Sequence, residues 1–222
     1  VIPLFILDKK QIDEAGEKLL AYMGQSLRAL DESLGNRLHI IEGDQVEVLT
    51  DLMKLYGATE VHISDEYERY GAARDARVEA AGIKLIRTGS PYAVAPGRVR
   101  KPSDDTPYRV YTPFYRAWCV HGWRAPAKTP QTINAPIPPD KYRAFPDFPM
   151  PAGVEVIEAG EAAALKRFKE FSKKALDSYD EARNLAGIDG TSKMSTYLKF
   201  GEIHPRTLLA GLGDSKAHDT FR

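Results

Sequence analysis

Between Gly190 and Arg206 the chain reads Gly-Thr-Ser-Lys-Met-Ser-Thr-Tyr-Leu-Lys-Phe-Gly-Glu-Ile-His-Pro-Arg, placing hydroxyls, a cation and two helix starts close together. Gly190 permits an unusual backbone turn, and Thr191 and Ser192 are N-cap candidates. A short helix is expected to run toward Phe200, with Gly201 just past its end. His204-Pro205 then opens the next helix, where proline loses no helical hydrogen bond. Free amides and hydroxyls at the first helix start, with Lys193 beside them, suit an anionic group such as a phosphate. Ordinary capping is the alternative the same residues allow.

Other chemistries find little support. No Gly-x-x-x-x-Gly-Lys-Ser/Thr loop is present, nor a Gly-x-Gly-x-x-Gly after a strand, which disfavours P-loop enzymes and typical Rossmann dehydrogenases. Gly-Leu-Gly at 211–213 is too short and reads as a loop. Cys119 is the single cysteine, so an internal disulfide and a multi-cysteine metal site are excluded. The histidines at 39, 62, 121, 204 and 218 lack zinc-ligand spacing, and no metal is expected.

Around these residues the chain must supply a scaffold. Its 222 residues are 43% hydrophobic, and 31 basic side chains balance 31 acidic ones. That composition describes a globular protein in which any nucleic-acid contact needs a local basic patch. No apolar run approaches the ~20 residues of a membrane span, and no secretory signal is evident, so no membrane partner and a cytoplasmic setting are expected.

Val1–Leu7 is a continuous apolar run suited to a strand buried on both faces. Residues 15–34 carry Leu19, Leu20, Met23, Leu27, Leu30 and Leu34 at helical spacing, with Gly35 as the stop. A strand follows at 38–42. A helix then starts at Asp44, with Glu47 as its capping-box partner, and is closed by Gly57. Further strands are expected at 60–64 and 84–88, around a helix over 72–81. The alternation predicts an α/β fold, a doubly wound parallel sheet covered on both faces. Residues 126–151 hold eight of the fifteen prolines and read as an extended linker. Helix returns near Gly160, with an apolar stripe of Ala164, Leu165, Phe168, Phe171, Ala175 and Leu176. Lys166, Arg167, Lys169, Lys173 and Lys174 read as a solvated face.

The Thr-Ser-Lys-Met-Ser block, with Tyr-Leu-Lys-Phe-Gly-Glu-Ile-His-Pro-Arg after it, closely resembles the flavin-binding signature of the DNA photolyase and cryptochrome family. Tyr179, twelve residues ahead of Thr191, sits where that family places a flavin-contacting tyrosine. The block Gly-Ser-Pro-Tyr-Ala-Val-Ala-Pro-Gly-Arg-Val at 89–99, followed by Tyr-Arg-Val-Tyr-Thr-Pro-Phe-Tyr-Arg-Ala-Trp at 108–118, looks like the end of the family's N-terminal domain. The resemblance runs through the chain in the family's order and is most like a bacterial deoxyribodipyrimidine photolyase.

The resemblance implies an antenna-type α/β domain over 1–120, an inter-domain linker over 121–159 and the start of an all-α FAD-binding domain over 160–222. The family's first strand, central in its sheet, has no counterpart here, and both chain ends read as cut from a longer protein. FAD is the implied cofactor, contacted by Tyr179, Thr191, Ser192, Lys193, Met194 and Ser195. Arg183 matches a DNA-facing arginine. An antenna chromophore is implied near Tyr70, Gly71, Arg74 and Asp75. Folate-binding members carry a glutamate where this chain has Gly71, so 8-hydroxy-5-deazaflavin is favoured over methenyltetrahydrofolate, or no antenna is bound. Arg74 and Asp75 read equally as a surface ion pair.

The implied activity is light-driven repair of cyclobutane pyrimidine dimers in damaged DNA by a monomer. A cryptochrome-type light sensor and a (6-4) photolyase are the rivals. The family's lesion-facing residues are expected beyond Arg222, and Trp118 and Trp123 do not match its tryptophan electron chain. The excerpt alone is expected to be catalytically silent.

Overall fold

The computed structural model describes residues 1–222. Strand β1 (Leu4–Leu7) leads through helix α1 (Lys9–Glu14) into the long α2 (Glu17–Ser33), and β2 (His39–Glu42) follows. Helix α3 (Gln45–Tyr56), strand β3 (Val61–Ile63), helix α4 (Arg69–Ala80) and strand β4 (Leu85–Arg87) complete the α/β part. The single helix expected over 15–34 is thus preceded by a separate short one, because Asp8 caps a turn through the Lys10 amide. Asp44 caps α3 through the Val46 and Glu47 amides, but Glu47 returns no bond, and Asp44 pairs with Arg77 at 2.7 Å instead.

β1 pairs in parallel with β2, from Leu4 opposite His39 to Leu7 opposite Glu42. β3 pairs in parallel with β4, from Val61 opposite Leu85 to Ile63 opposite Arg87. No ladder joins the two pairs. Strand alternation explains the apolar run of β1. Phe5 and Leu7 turn to a cluster with Leu27, Leu38 and Ile40, while Leu4 and Ile6 turn to one built on Leu49, Val78 and Ile83. Helix α2 therefore packs on one face, α3 and α4 on the other, as a doubly wound arrangement requires.

Helix α5 (Tyr111–His121) has no buried residue and touches the last helix through the Tyr115 hydroxyl, which donates to Asp219. The proline-rich stretch after it is laid along the α/β part and contains one 3₁₀ turn at Asp140–Tyr142. Arg143 forms a parallel bridge with Ile40, and its guanidinium binds Asp31 at 2.8 Å and the Asn36 carbonyl at 3.0 Å. Arg37 and Arg28 add bonds to the carbonyls of Ala135 and Pro146.

Helix α6 (Glu161–Lys174) opens an all-helical part that continues with α7 (Tyr179–Ala182), α8 (Ser195–Lys199), α9 (Pro205–Leu209) and α10 (Lys216–Phe221). Its core joins Ala163, Ala164, Phe168, Phe171, Leu176, Met194, Tyr197, Ile203 and Leu208. Leu165, assigned to the apolar stripe from sequence, is exposed, and Ala163 takes the inward position.

Candidate functional site

The loop between α7 and α8 carries the hydroxyl-rich block. Gly190 matters here through close approach: a Cβ would lie 2.8 Å from the Ala182 carbonyl oxygen, so only glycine lets the loop seat on α7. Its φ is not in the left-handed region, which corrects the expectation of an unusual turn there. Lys193 adopts that conformation instead, at φ 57°. A non-glycine residue held so costs about 1–2 kcal/mol and persists where its surroundings over-determine it.

Thr191 and Ser192 are not N-caps. α8 starts only at Ser195, with Met194 in the cap position, and the Ser192 hydroxyl accepts from the Met194 amide at 3.4 Å. The Met194 side chain is buried in the helical core, 3% exposed, so only its backbone faces the loop. Thr191, Lys193 and Ser195 are exposed. The amides of Thr191, Ser192, Lys193 and Ser195 donate to no protein acceptor, which leaves four unpaired donors in one short loop.

Arg167 is a candidate site residue that helical periodicity missed. Read as part of a solvated face, it is half-buried. Its guanidinium reaches the Ser192 carbonyl at 3.1 Å, the Thr191 carbonyl at 3.0 Å and the Asp189 carboxylate at 3.3 Å. Lys166, Lys169, Lys173 and Lys174 are exposed, as expected. Lys193 also binds Asp189, at 2.9 Å, and this contact with Lys193, followed by the Arg167 charge, holds the Asp189 carboxyl below its ordinary value. Two cations against one carboxylate leave a net positive loop with free amides, and these residues fit a diphosphate.

Tyr179 opens α7 and packs edge-on against Phe171 and Phe221, with ring centroids 5.8 and 5.2 Å away. The exposed Arg183 lies over the Tyr179 ring at 5.7 Å. Tyr179 and Met194 belong to one core cluster, and Gly190 touches Ala182. The structure therefore brings α7 and the loop together, as the resemblance implied.

A second cluster sits at the C-terminal end of β1, where ligands of open α/β sheets collect. The Tyr70 hydroxyl donates to Asp8, and Gln45 donates to the same carboxylate oxygen at 2.7 Å. Burial alone would raise the Asp8 carboxyl, but the bonds from Tyr70, Gln45 and the Lys10 amide hold it below its ordinary value. Arg77 extends the network to Gln45 at 2.6 Å. Asp8 also borders a cavity of about 380 Å³ between β1, α2 and α8, lined chiefly by Phe5, Leu7, Ile12, Leu20, Met23 and Phe200. Gly71 does not face this cavity with a free surface: a Cβ there would strike the Glu66 side chain, which folds back to accept from the Tyr67 and Glu68 amides. Arg74 and Asp75 are not a surface pair, because Asp75 is only 4% exposed. Arg74 binds one of its oxygens at 2.7 Å and the other has no partner.

The Gly-Glu-Ile-His-Pro-Arg block turns away from the loop and clasps the α/β part. Glu202 is buried and accepts from the Tyr22 hydroxyl at 2.8 Å and the Gly160 amide at 2.6 Å. Burial and then this bond push the Tyr22 phenol well above its ordinary value. The His204 Nδ1 accepts from the Arg206 amide at 3.1 Å, so its Nε2–H donates to the Ser90 carbonyl at 2.9 Å. Arg206 donates to the Ala93 carbonyl at 2.9 Å. The two blocks singled out in the sequence, 89–99 and 201–206, meet in space.

The architecture is an open parallel α/β layer clasped to a helical unit through Glu202, His204 and Arg206. The DNA photolyase family model matches residues 1–133, and the chain belongs to that family. The chain is 31% identical over 231 residues to a deoxyribodipyrimidine photo-lyase of Agrobacterium fabrum, covering 92% of this chain and 46% of the relative. It is 30% identical over 225 residues to one from Synechococcus sp. (strain ATCC 27144), covering 91% and 46%. An uncharacterized 31.6 kDa protein of Synechococcus sp. (strain PCC 6716) is 32% identical, covering 86% of this chain and 71% of the relative. A crystal structure of a bacterial class III photolyase from Agrobacterium tumefaciens superposes with a TM-score of 0.85 at 27% identity, over all of this chain and 50% of that one. The chain spans about half the length of the curated photo-lyases it matches. No helix is long and apolar enough to cross a membrane.

Proposed function

We propose that this chain is the antenna-side half of a light-driven DNA repair enzyme that reverses cyclobutane pyrimidine dimers using FAD. The observation that carries this reading is the loop 190–195, with unpaired amides and a net positive rim, seated on the helix that begins at Tyr179. In this reading residues 1–120 form the antenna domain, 121–159 the connection and 160–222 the start of the FAD-binding domain.

Bound there, reduced FAD supplies light-driven one-electron chemistry. The chain's residues bind and orient. The amides of Thr191, Ser192, Lys193 and Ser195 and the exposed hydroxyls receive the diphosphate, Arg167 fixes the loop, and Tyr179 packs at the flank. Arg183 offers a contact to a DNA phosphate, which positions a duplex without reading its sequence. The Asp8–Tyr70 cluster and its adjoining cavity suit a flat antenna chromophore, with 8-hydroxy-5-deazaflavin favoured. Of the four residues named for it, Tyr70 borders the cavity through Asp8, whereas Gly71 is engaged by Glu66.

The test is an absorption spectrum of the protein, expressed with whatever flanking sequence its gene encodes and purified in the dark, before and after blue light with dimer-containing DNA. Flavin bands with light-dependent loss of dimers support the reading. Bound flavin without repair favours a cryptochrome-type sensor, repair confined to (6-4) products favours that photolyase, and absence of flavin overturns all three.

A further inference from the structure

Helix α5 exposes an aromatic ladder for which neither the candidate flavin loop nor the Asp8 cluster has a use. Tyr111 and Tyr115 stack with centroids 5.7 Å apart and planes at 15°, Tyr115 and Trp118 at 6.2 Å and 19°, and Trp118 and Trp123 at 4.5 Å and 28°. Helical spacing puts Tyr111, Tyr115 and Trp118 on one stripe, and Trp123 continues it past the helix end. The ladder is held at its middle, where the Tyr115 hydroxyl donates to Asp219 of α10 at 2.7 Å. It ends in an open ring: Tyr111 is 71% exposed.

The charge around it is one-sided. No carboxylate lies in the sequence between Asp105 and Asp140, while Arg109, Arg116, Arg124 and Lys128 do, in a chain whose net charge is zero. All four are exposed and none makes an ion pair, unlike the preceding Arg100 and Lys101, which face Asp105 and Asp104. Stacked rings flanked by unpaired cations meet the two requirements of a single-stranded nucleic-acid platform: a π-surface for bases and counter-charge for phosphates. An acidic protein surface would satisfy the cations but leave the open ring without a stacking partner.

We propose that α5 and the segment after it form a binding surface for undamaged single-stranded nucleic acid. A base continues the ladder on the outer face of Tyr111, and Arg109, Arg116, Arg124 and Lys128 pair with the phosphates. This surface shares no residue with the loop at 190–195 and requires neither light, flavin nor lesion, so it stands or falls independently of the repair reading.

Both tryptophans of the chain lie in the ladder, so intrinsic fluorescence reports on it directly. In the dark, the full-length protein is titrated with oligo-dT, oligo-U and, as a polyanion without bases, heparin. Binding is followed by tryptophan quenching and by anisotropy of labelled oligonucleotide. If all four cations pair with phosphates, affinity falls roughly fiftyfold between 50 and 200 mM salt, from a slope of about −0.7 per phosphate neutralised on a single strand. Tyr111→Ala weakens oligonucleotide binding about tenfold and leaves heparin unaffected. Arg109→Ala with Arg124→Ala weakens both and flattens the salt dependence. Because α5 has no buried residue, these variants keep the fold, which circular dichroism verifies. Preference for oligo-dT or oligo-U identifies the source of the strand. The proposal is overturned by absence of quenching at 50 mM salt, by heparin quenching as strongly as the oligonucleotides, or by oligonucleotide binding that the variants leave unchanged.

Discussion

The Arg167 guanidinium reaches two carbonyls and one carboxylate of a loop more than twenty residues away in sequence. Replacing it by glutamine removes charge-assisted bonds each worth about 1.5–3 kcal/mol when fully formed, less at this half-exposed position. On the proposed flavin reading, Arg167→Gln is expected to lower flavin affinity roughly tenfold while leaving the far-ultraviolet circular dichroism unchanged, a split measured by equilibrium dialysis beside the spectrum. Asp8 supports a pH prediction. Its folded carboxyl titrates below the ordinary 3.8, so its contribution is present above that value and is lost as pH falls through the folded one. Asp8→Asn should flatten the stability-versus-pH curve below about pH 4 in acid titrations followed by fluorescence. Residue type marked the hydroxyl block in the sequence, and the family resemblance added Tyr179. They did not identify Arg167, because a cation one turn from an apolar stripe looks solvated until the loop that covers it is placed. Nor did they show that the Met194 side chain is buried: its neighbours in sequence are exposed, but it completes the helical core, so any contact it makes to a ligand runs through its backbone.

Periodicity recovered the strands and every helix of the α/β part except the short α1 to within a few residues, since burial on two faces leaves a distinct mark on β1 and on the helices beside it, whereas α1 buries no residue. Short helices were harder. The start of α8 was placed too early because Thr191 and Ser192 have capping chemistry, yet the left-handed Lys193 interrupts the helix before Ser195. In α6, Phe168 and Phe171 both join the core and pack against Phe221, at 6.2 and 5.2 Å, so two rings link α6 to the last helix. Phe168→Ala is expected to cost about 3–5 kcal/mol, because the site is walled by several elements and cannot collapse fully. Urea unfolding would show it as a lower midpoint, and an unchanged midpoint would remove Phe168 from the core argument.

The α/β and helical parts are joined by the Tyr22–Phe200 ring pair at 4.8 Å and by a few directed bonds, Glu202 to Tyr22, His204 to Ser90 and Arg206 to Ala93, with Glu202 also holding the Gly160 amide at the start of α6. Glu202→Ala leaves two buried donors without an acceptor, a loss of about 2–4 kcal/mol that lowers the melting temperature by about 5–10 °C. Glu202→Gln retains one acceptor and should fall between, a ranking that differential scanning calorimetry can check. Sequence motifs pointed to residues 89–99 and 201–206 separately. That they grip each other was invisible, because contact between segments more than a hundred residues apart leaves no local pattern.

The segment that crosses β2 has a further consequence. Ile40 lies on β2, whose edge away from β1 meets Arg143 in a bridge and the Ala144 amide at the Ile40 carbonyl. An outer strand left bare is a template on which another molecule's strand can add. The proline-rich crossing is thus a guard as well as a tether. A protease that nicks it would release more than a hinge: it would uncover a sticky border, and solutions of the cut protein should cloud on warming before they lose their helices.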